Sequence, residues 1–316
     1  MAADFYAQVA TALAQGPVVV ALVTQARGSV PRRPGAALAL TAAATWGTIG
    51  GGAGEARVLA AAAQVLATGV PQGVEIDLSG APDRPTQGVC GGWMRVWLSR
   101  WQGPEAIALA QTLHRRLRAG QSVSLSLGDG ELPRLQPGAE RPAPPAPVIT
   151  LEPAPTLLIV GAGHVAVPLA QVAALAEFRV VVQDERPEFA QAARFPQAAA
   201  VWAGPLAEAI AQFAPGPQLY AALVTRGVET DLAALGLLLR RSPPCCYLGA
   251  IGSRQRVQVV KRALGAAGMP TARLAQLRAP IGLDLGAETP GEIAVSIVAE
   301  LIQVRRGGRG QPLSGI

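Results

Sequence analysis

At 316 residues the chain is long enough for two domains, each with its own core. Half of the residues are hydrophobic and only 15% are charged, which excludes disorder along the whole length, and no apolar run reaches the roughly 18 residues that a membrane span requires. The net charge of +6 suits an anionic partner. All but one of the 27 basic residues are arginine, however, the exception being Lys261. The doublets Arg32-Arg33, Arg115-Arg116, Arg240-Arg241 and Arg305-Arg306 are scattered, with no aromatic neighbours spaced for base stacking, which argues against nucleic acid. Phosphate recognition at one or two places stays open, since arginine forks match phosphate geometry. Cys90, Cys245 and Cys246 form no disulfide framework, and the start MAADFYAQVATALAQ does not resemble a secretion signal, so the expected compartment is the reducing cytoplasm.

Residues 4–15 predict a short amphipathic helix and Pro17 to Thr24 an apolar strand. The stretch RGSVPRRPG, Arg27 to Gly35, is built like a loop that grips an anion, with Arg32 and Arg33 as the candidates; a solvated connection to the strand Ala37–Leu40 would have the same composition. A second glycine-rich segment, WGTIGGGAGE from Trp46 to Glu55, leads into a predicted helix Ala56–Ala67. There the amides of Gly50, Gly51 and Gly52 can approach a negative ligand near a helix N-terminus, or the glycines serve an abrupt hairpin. After the strand Val74–Leu78 comes QGVCGG, which places Cys90, Gly91 and Gly92 just before the strand Trp93–Leu98. A cysteine followed by two glycines is sterically open and suits a sulfur contact with a bulky partner, although an inert core thiol is the competing assignment. His114, on the leucine- and arginine-rich helix 104–119, has no metal-ligand spacing around it and is expected to be structural.

Residues 135–155 are proline-rich and read as a semi-rigid linker between an N-terminal α/β domain, 1–134, and a second domain, 156–305, with a tail at 306–316. The second domain opens with LLIVGAGHVAVPLAQVAALAEFRVVVQD, Leu157 to Asp184, which spells strand, glycine turn, helix and strand. Gly161 permits the turn, Gly163 lets a phosphate approach, Ala166 holds the third fingerprint position, and Asp184 stands where a ribose-binding carboxylate is expected. The helix carries an apolar face of Val165, Leu169, Val172 and Leu175. The expected fold is therefore a Rossmann-like, doubly wound parallel sheet. Further along, Pro187–Arg194 reads as a helix, Ala199–Trp202 and Tyr220–Thr225 as strands, and Leu232–Arg240 as a helix. Thr225, Asp231, Ser253 and Arg254 should lie on the rim at the carboxyl ends of the strands, while Cys245 and Cys246 are expected to pack. A capping box of Thr289 and Glu292 starts a last helix, whose polar row Glu292, Ser296 and Glu300 needs partners if it is buried.

The order of GSVPRRPGA, GTIGGGAGEA, CGG, GAGHVAVPLA, DERPEFA, YLGAIGSR and APIGLDLGAETPGEIAVSIVAELI resembles the XdhC/CoxI family of xanthine dehydrogenase accessory proteins, along nearly the whole chain. The resemblance implies a carrier, not an enzyme. Such a protein binds molybdenum cofactor, holds it while a cysteine desulfurase helps to install the terminal sulfido ligand, and delivers it to apo-xanthine dehydrogenase. It further implies Cys90 as the sulfur contact or molybdenum ligand, ahead of Cys245 and Cys246. Gly91, Gly92, Arg32, Arg33, Gly50, Gly51, Gly52 and Glu55 would surround the phosphate or pterin, and Gly161, Gly163, His164, Asp184, Ser253 and Arg254 would line a second pocket or another wall of the same one. A cofactor-biosynthesis protein is a further partner in this expectation, a nucleotide at the glycine turn stays open, and the apolar C-terminal helix behind a long linker suits a homodimer. Where many relatives have histidines after the Tyr220–Thr225 strand, this chain has Arg226 and Val228, and Gln255 and Arg256 replace a basic pair after GSR. The competing classes are an NAD(P)-dependent oxidoreductase, which the Leu157–Asp184 unit alone would support, and a cofactor-free scaffold between desulfurase and client.

Overall fold

The structure, a computed structural model, describes every residue except 1, 82, 84–85, 129–131, 137–147, 214–215, 217 and 316. The chain divides into two compact units, Met1–Ala154 and Pro155–Ile316.

The first unit runs α1 (Ala2–Leu13), β1 (Val18–Arg27), β2 (Ala37–Leu40), β3 (Thr45–Gly47), α2 (Gly52–Thr68), β4 (Gln72–Leu78), β5 (Gly92–Trp101), α3 (Gly103–Arg118), β6 (Val123–Ser126), β7 (Arg134–Leu135) and β8 (Val148–Leu151). Its main sheet, ordered β3-β2-β1-β5-β4, is antiparallel throughout. The apolar run of β1 is explained by burial on both faces. Val18, Val20 and Leu22 pack with α1 and α3, while Val19, Ala21 and Val23 face Val58, Ala62 and Val65 of α2. A three-stranded antiparallel sheet, β7-β6-β8, completes the unit. Leu135 and Val148–Leu151, expected in the linker, are thus strand residues of this unit. The alternation in VITL sends Ile149 and Leu151 into the core, whereas residues 137–147 of that expectation lie outside the described residues.

The second unit continues β9 (Thr156–Val160), α4 (Ala166–Leu175), β10 (Arg179–Asp184), β11 (Ala200–Ala203), α5 (Leu206–Phe213), β12 (Leu219–Leu223), α6 (Val228–Leu238), β13 (Tyr247–Ala250), α7 (Arg254–Ala266), α8 (Thr271–Leu274), β14 (Leu277–Arg278) and α9 (Pro290–Arg306). The sheet is parallel and ordered β11-β10-β9-β12-β13-β14, so the strand order reverses between β9 and β12. Leu157, Ile159 and Val182 face α4 and α9, and Leu158, Val160 and Val181 face α5, α6 and α7. That two-sided cover is the doubly wound, Rossmann-like architecture expected from sequence. Among the described residues no helix is long and apolar enough to cross a membrane.

Two local expectations change. The buried face of α4 is Ala166, Leu169, Ala170 and Ala173, and Leu175 is 85% exposed, because α9 packs close against α4 and only small side chains fit between them. Residues 187–194 do not form a helix; only Ala192–Arg194 makes a single 3-10 turn. Arg186 and Arg194 at either end are pinned onto Asp184 and onto the Ala162 and Phe189 carbonyls, which holds the segment as successive turns.

The last helix is tied to the sheet through a buried carboxylate. Thr289 and Glu292 form the expected capping box, and Ser296 donates to the Leu283 carbonyl at 2.6 Å. Glu300 is 6% exposed and accepts from the Tyr247 hydroxyl at 2.5 Å and the Gly282 amide at 2.7 Å, with Arg278 at 3.2 Å. Burial, and then the Glu300 carboxylate, raise the Tyr247 phenol far above its ordinary pKa. Glu300→Ala strands the buried Tyr247 hydroxyl and the part-buried Gly282 amide, and because Arg278 is half exposed the expected loss is about 2–3 kcal/mol. Urea denaturation measures it, and Glu300→Gln, which retains an acceptor, should lose clearly less.

Candidate functional site

Three loops of the first unit meet at glycines. Gly92 opens β5 and is buried, and a methyl group there would fall 2.1 Å from the Ser29 carbonyl oxygen and 2.6 Å from Val30 Cγ1. One on Gly28 would meet the Gly91 carbonyl oxygen at 2.6 Å, and one on Gly50 would meet Pro31 Cγ at 2.3 Å. Only glycine allows this approach. The Cys90 turn, the arginine loop and the N-terminus of α2, separate in sequence, therefore form one surface. Cys90 is exposed, and the space above Gly91 is open. The connection from β4 is closed by Gln87 N–H to the Asp77 carbonyl at 2.7 Å, Asp77 N–H to Gln87 Oε1 at 2.9 Å, and Gly91 N–H to the Leu78 carbonyl at 2.7 Å. Arg32 is half-buried and Arg33 exposed, and Arg27 lies over the Trp93 ring at 5.9 Å.

The glycine loop is narrower as an anion site than its composition suggests. The helix α2 starts at Gly52, not at Ala56, and Gly54 lies inside it, where a methyl group would press on Ile76 Cγ2 at 2.9 Å. Gly54 thus serves helix-to-sheet packing. Glu55 Oε2 turns back and accepts from the Thr48 hydroxyl at 2.6 Å and from the Ile49 and Gly51 amides at 3.0 and 3.1 Å. Partial burial raises the Glu55 pKa, but the Thr48 hydroxyl and then the amides of Gly51, Ile49 and Gly50 outweigh it and hold it below the ordinary carboxylate value. What remains for an external anion is the first turn of α2 around the exposed Gly52, where helical amides lack an intrahelical acceptor and the N-cap Gly51 offers no side chain.

In the second unit the fingerprint forms as expected, with Gly161 at φ 98° against the end of β12, where a methyl group would meet the Val224 carbonyl oxygen at 3.0 Å. Above Gly163 there is open space, and His164 is exposed. Asp184 is 7% exposed and already full: Oδ1 accepts from the Arg186 amide at 3.0 Å and Arg186 Nε at 2.9 Å, and Oδ2 from the Ala162 amide and Arg186 Nη2, both at 2.8 Å. Burial raises its pKa, but the Arg186 side chain and the two amides prevail and lower it. Asp184 therefore locks the glycine turn to β10 and has no acceptor position left for a ribose diol.

On the other side of the switch point, Ser253 caps α7 by accepting from the Arg256 amide at 3.2 Å, and Arg254 is exposed. The guanidinium that reaches inward is that of Arg256, which pairs with buried Asp231 at 2.6 Å and donates to the Thr225 hydroxyl and the Gly227 carbonyl, both at 3.0 Å; Thr225 in turn donates to Asp231. Thr225 and Asp231 are the expected rim residues; Arg256 is not expected there, and its signal in the sequence is its position three residues after a serine N-cap. Cys245 is partly buried, and burial first of all pushes its thiol up to about 11; Cys246 is exposed, against the expectation that both would pack. Both precede β13. His114 binds the Ala3 carbonyl at 2.8 Å in a structural role. Among the described residues no group of three or more histidine, cysteine or acidic side chains is placed to hold a metal ion.

The sequence pattern of the XdhC and CoxI family matches residues 12–77, and that of the XdhC Rossmann domain matches residues 157–301. The uncharacterized protein YqeB of Escherichia coli (strain K12) is 28% identical over 295 residues, 93% of this chain and 44% of its own length. A probable subunit of xanthine dehydrogenase from Bacillus subtilis (strain 168) is 35% identical over 156 residues, 49% of this chain and 44% of its own. The chain thus spans under half the length of both curated relatives. A crystal structure from Bacillus halodurans, described as that of a xanthine dehydrogenase, superposes with a TM-score of 0.76 at 25% identity, covering 98% of both chains.

Two outcomes follow for the first unit. A carboxylate of lowered pKa stabilises the loop above its unfolded value of 4.5 and releases it as pH falls through the lower folded one. Hydrogen exchange at the Ile49 and Gly51 amides, corrected for intrinsic rates, should therefore lose protection below that pH, and Glu55→Gln should remove the dependence. Gly92→Ala should destabilise by about 3 kcal/mol through overpacking against backbone, whereas Gly91→Ala, with φ 82° and open space, should cost only about 1 kcal/mol; denaturant midpoints separate the two.

Proposed function

Since the chain belongs to the XdhC and CoxI family, we propose that it serves the maturation of a xanthine dehydrogenase as a carrier of molybdenum cofactor, and not as an enzyme turning over a free substrate. The observation that carries this reading is the convergence of the exposed Cys90, the loop with Arg32 and Arg33, and the first turn of α2 on one surface. The cargo pairs a soft, sulfur-bound metal with a phosphate, and the donor set matches both parts: a thiol for the soft end, guanidinium forks and helical amides for the anionic end. Cys90 is the sulfur contact, Gly91 leaves room above the thiol, and Gly92 fixes the turn against Ser29. Gly50 and Gly51 shape the entry to α2, with Glu55 holding the loop so that Gly52 faces the phosphate.

In the same reading a cysteine desulfurase supplies the terminal sulfur while the cargo is held, a cofactor-biosynthesis protein loads it, and an apo-xanthine dehydrogenase receives it; the carrier acts in the cytoplasm as a homodimer. An NAD(P)-dependent oxidoreductase is the runner-up: the filled Asp184 offers nothing to a free ribose diol, which counts against NAD but not against NADP, and His164 is exposed within the glycine turn itself. A scaffold that holds no cofactor is separated from the carrier by binding alone.

Ultrafiltration of the purified chain with molybdenum cofactor, counting retained molybdenum, tests the proposal. Wild type should retain close to one molybdenum per chain, and Cys90→Ala, an exposed substitution, at least about tenfold less at limiting cofactor. Equal retention by both would remove Cys90 from the site, and no retention by either would overturn the carrier.

A further inference from the structure

The carrier reading leaves unused a cluster of arginines in the second unit. Where the strand order reverses, the segment after β10 places Phe189 beside the glycine turn, and three guanidinium groups surround its ring. The Arg186 carbon lies 4.0 Å from the ring centroid, and those of Arg194 and Arg226 lie 5.4 Å from it. Each comes from a different local position: Arg186 follows the end of β10, Arg194 closes the 3-10 turn, and Arg226 follows β12 across the switch point.

Two of the three guanidinium groups are only partly committed. Arg194 Nη1 is committed to the Ala162 carbonyl at 2.9 Å and the Phe189 carbonyl at 2.7 Å, leaving Nε and Nη2. Arg186 spends Nε and one Nη2 hydrogen on Asp184, leaving Nη1. Arg226 is exposed and makes no hydrogen bond or ion pair among the described residues. Against three guanidinium charges stand the buried Asp184, paired with Arg186, and the exposed Glu188, which also acts on Arg186; Glu185 of the same loop is exposed. Like charges gathered at this distance repel, and a phosphate monoester, carrying roughly −2 near neutral pH, supplies the missing charge and the acceptors.

The neighbouring geometry names the molecule that brings such a phosphate. The open space above Gly163, at the entry to α4, is where a dinucleotide pyrophosphate approaches this fold, and the end of β10 is where its adenosine ribose falls. Asp184 there cannot accept from ribose hydroxyls, since all its acceptor positions are filled. We infer that the switch-point crevice of the second unit binds an adenine dinucleotide whose ribose carries a 2′-phosphate, in preference to one with a free diol, and that Arg226 is the residue that makes the distinction. All of these residues belong to the second unit.

Isothermal titration of the full chain with NADP⁺ and NAD⁺, at one ionic strength, tests it. NADP⁺ should bind at least about tenfold more tightly, the value of one charge-assisted contact, and Arg226→Ala should reduce that ratio below about threefold while leaving NAD⁺ affinity unchanged. Adenosine 2′-monophosphate should likewise bind more tightly than adenosine 5′-monophosphate or inorganic phosphate. Equal or tighter binding of NAD⁺, no binding of either dinucleotide, a preference that survives Arg226→Ala, or inorganic phosphate binding as well as the 2′-monophosphate would each overturn the inference. None of these readouts involves molybdenum, so failure here leaves the carrier proposal standing, and failure there leaves this one.

Discussion

The contact on which the first unit's candidate site depends is the approach of Gly92 to the Ser29 carbonyl. It is a contact between two backbones, closer than any side chain permits. Through it the end of β1 and the start of β5, already paired along the sheet, carry the arginine loop and the Cys90 turn onto each other. Pro31 then extends the contact to Gly50 and so to α2. Three loops that look independent in the sequence are thereby set against a strand that is buried on both faces, through close packing at glycines.

A second theme is shared by both units. Each glycine-rich turn is closed from within by a carboxylate: Glu55 takes the Ile49 and Gly51 amides, and Asp184 takes the Ala162 amide. Glycine in these segments supplies backbone freedom, and the acid then consumes part of the hydrogen-bonding capacity which that freedom exposes. What each turn can still offer is decided by the groups the acid leaves over: the first turn of α2 in one unit, and arginine donors around Phe189 in the other.

Much of the fold was legible in the sequence, because the signals were local. The apolar run from Val18 gave a strand buried on both faces, the GAGHVA turn gave β9, α4 and β10 in register, and Thr289 with Glu292 gave the start of α9. The short strand β8 was hidden by the prolines around it, although Ile149 and Leu151 alternate as a half-buried strand should. The sites were less legible. That Asp184 is filled depends on Arg186 curling back over two residues, and that Gly54 packs on Ile76 depends on where α2 begins; neither follows from residue type at a given spacing. Gly92 against Ser29 is a contact between distant segments, and a glycine pair reads the same whether it faces a ligand or a backbone.

Three of the four hydrogen bonds on Asp184 come from Arg186, which is 39% exposed at its side chain. The two that its side chain makes are the ones a mutation can remove, and removing them returns two acceptor positions to solvent while the Ala162 amide keeps the turn in place. The arginine that fills Asp184 and the arginine inferred to read a 2′-phosphate, Arg186 and Arg226, are thus different residues on one ring. Loss of the Arg186 side chain would also unpin the turns after β10 and leave a buried carboxylate short of donors, so the shape of this crevice and the stability of that segment rest on the same guanidinium.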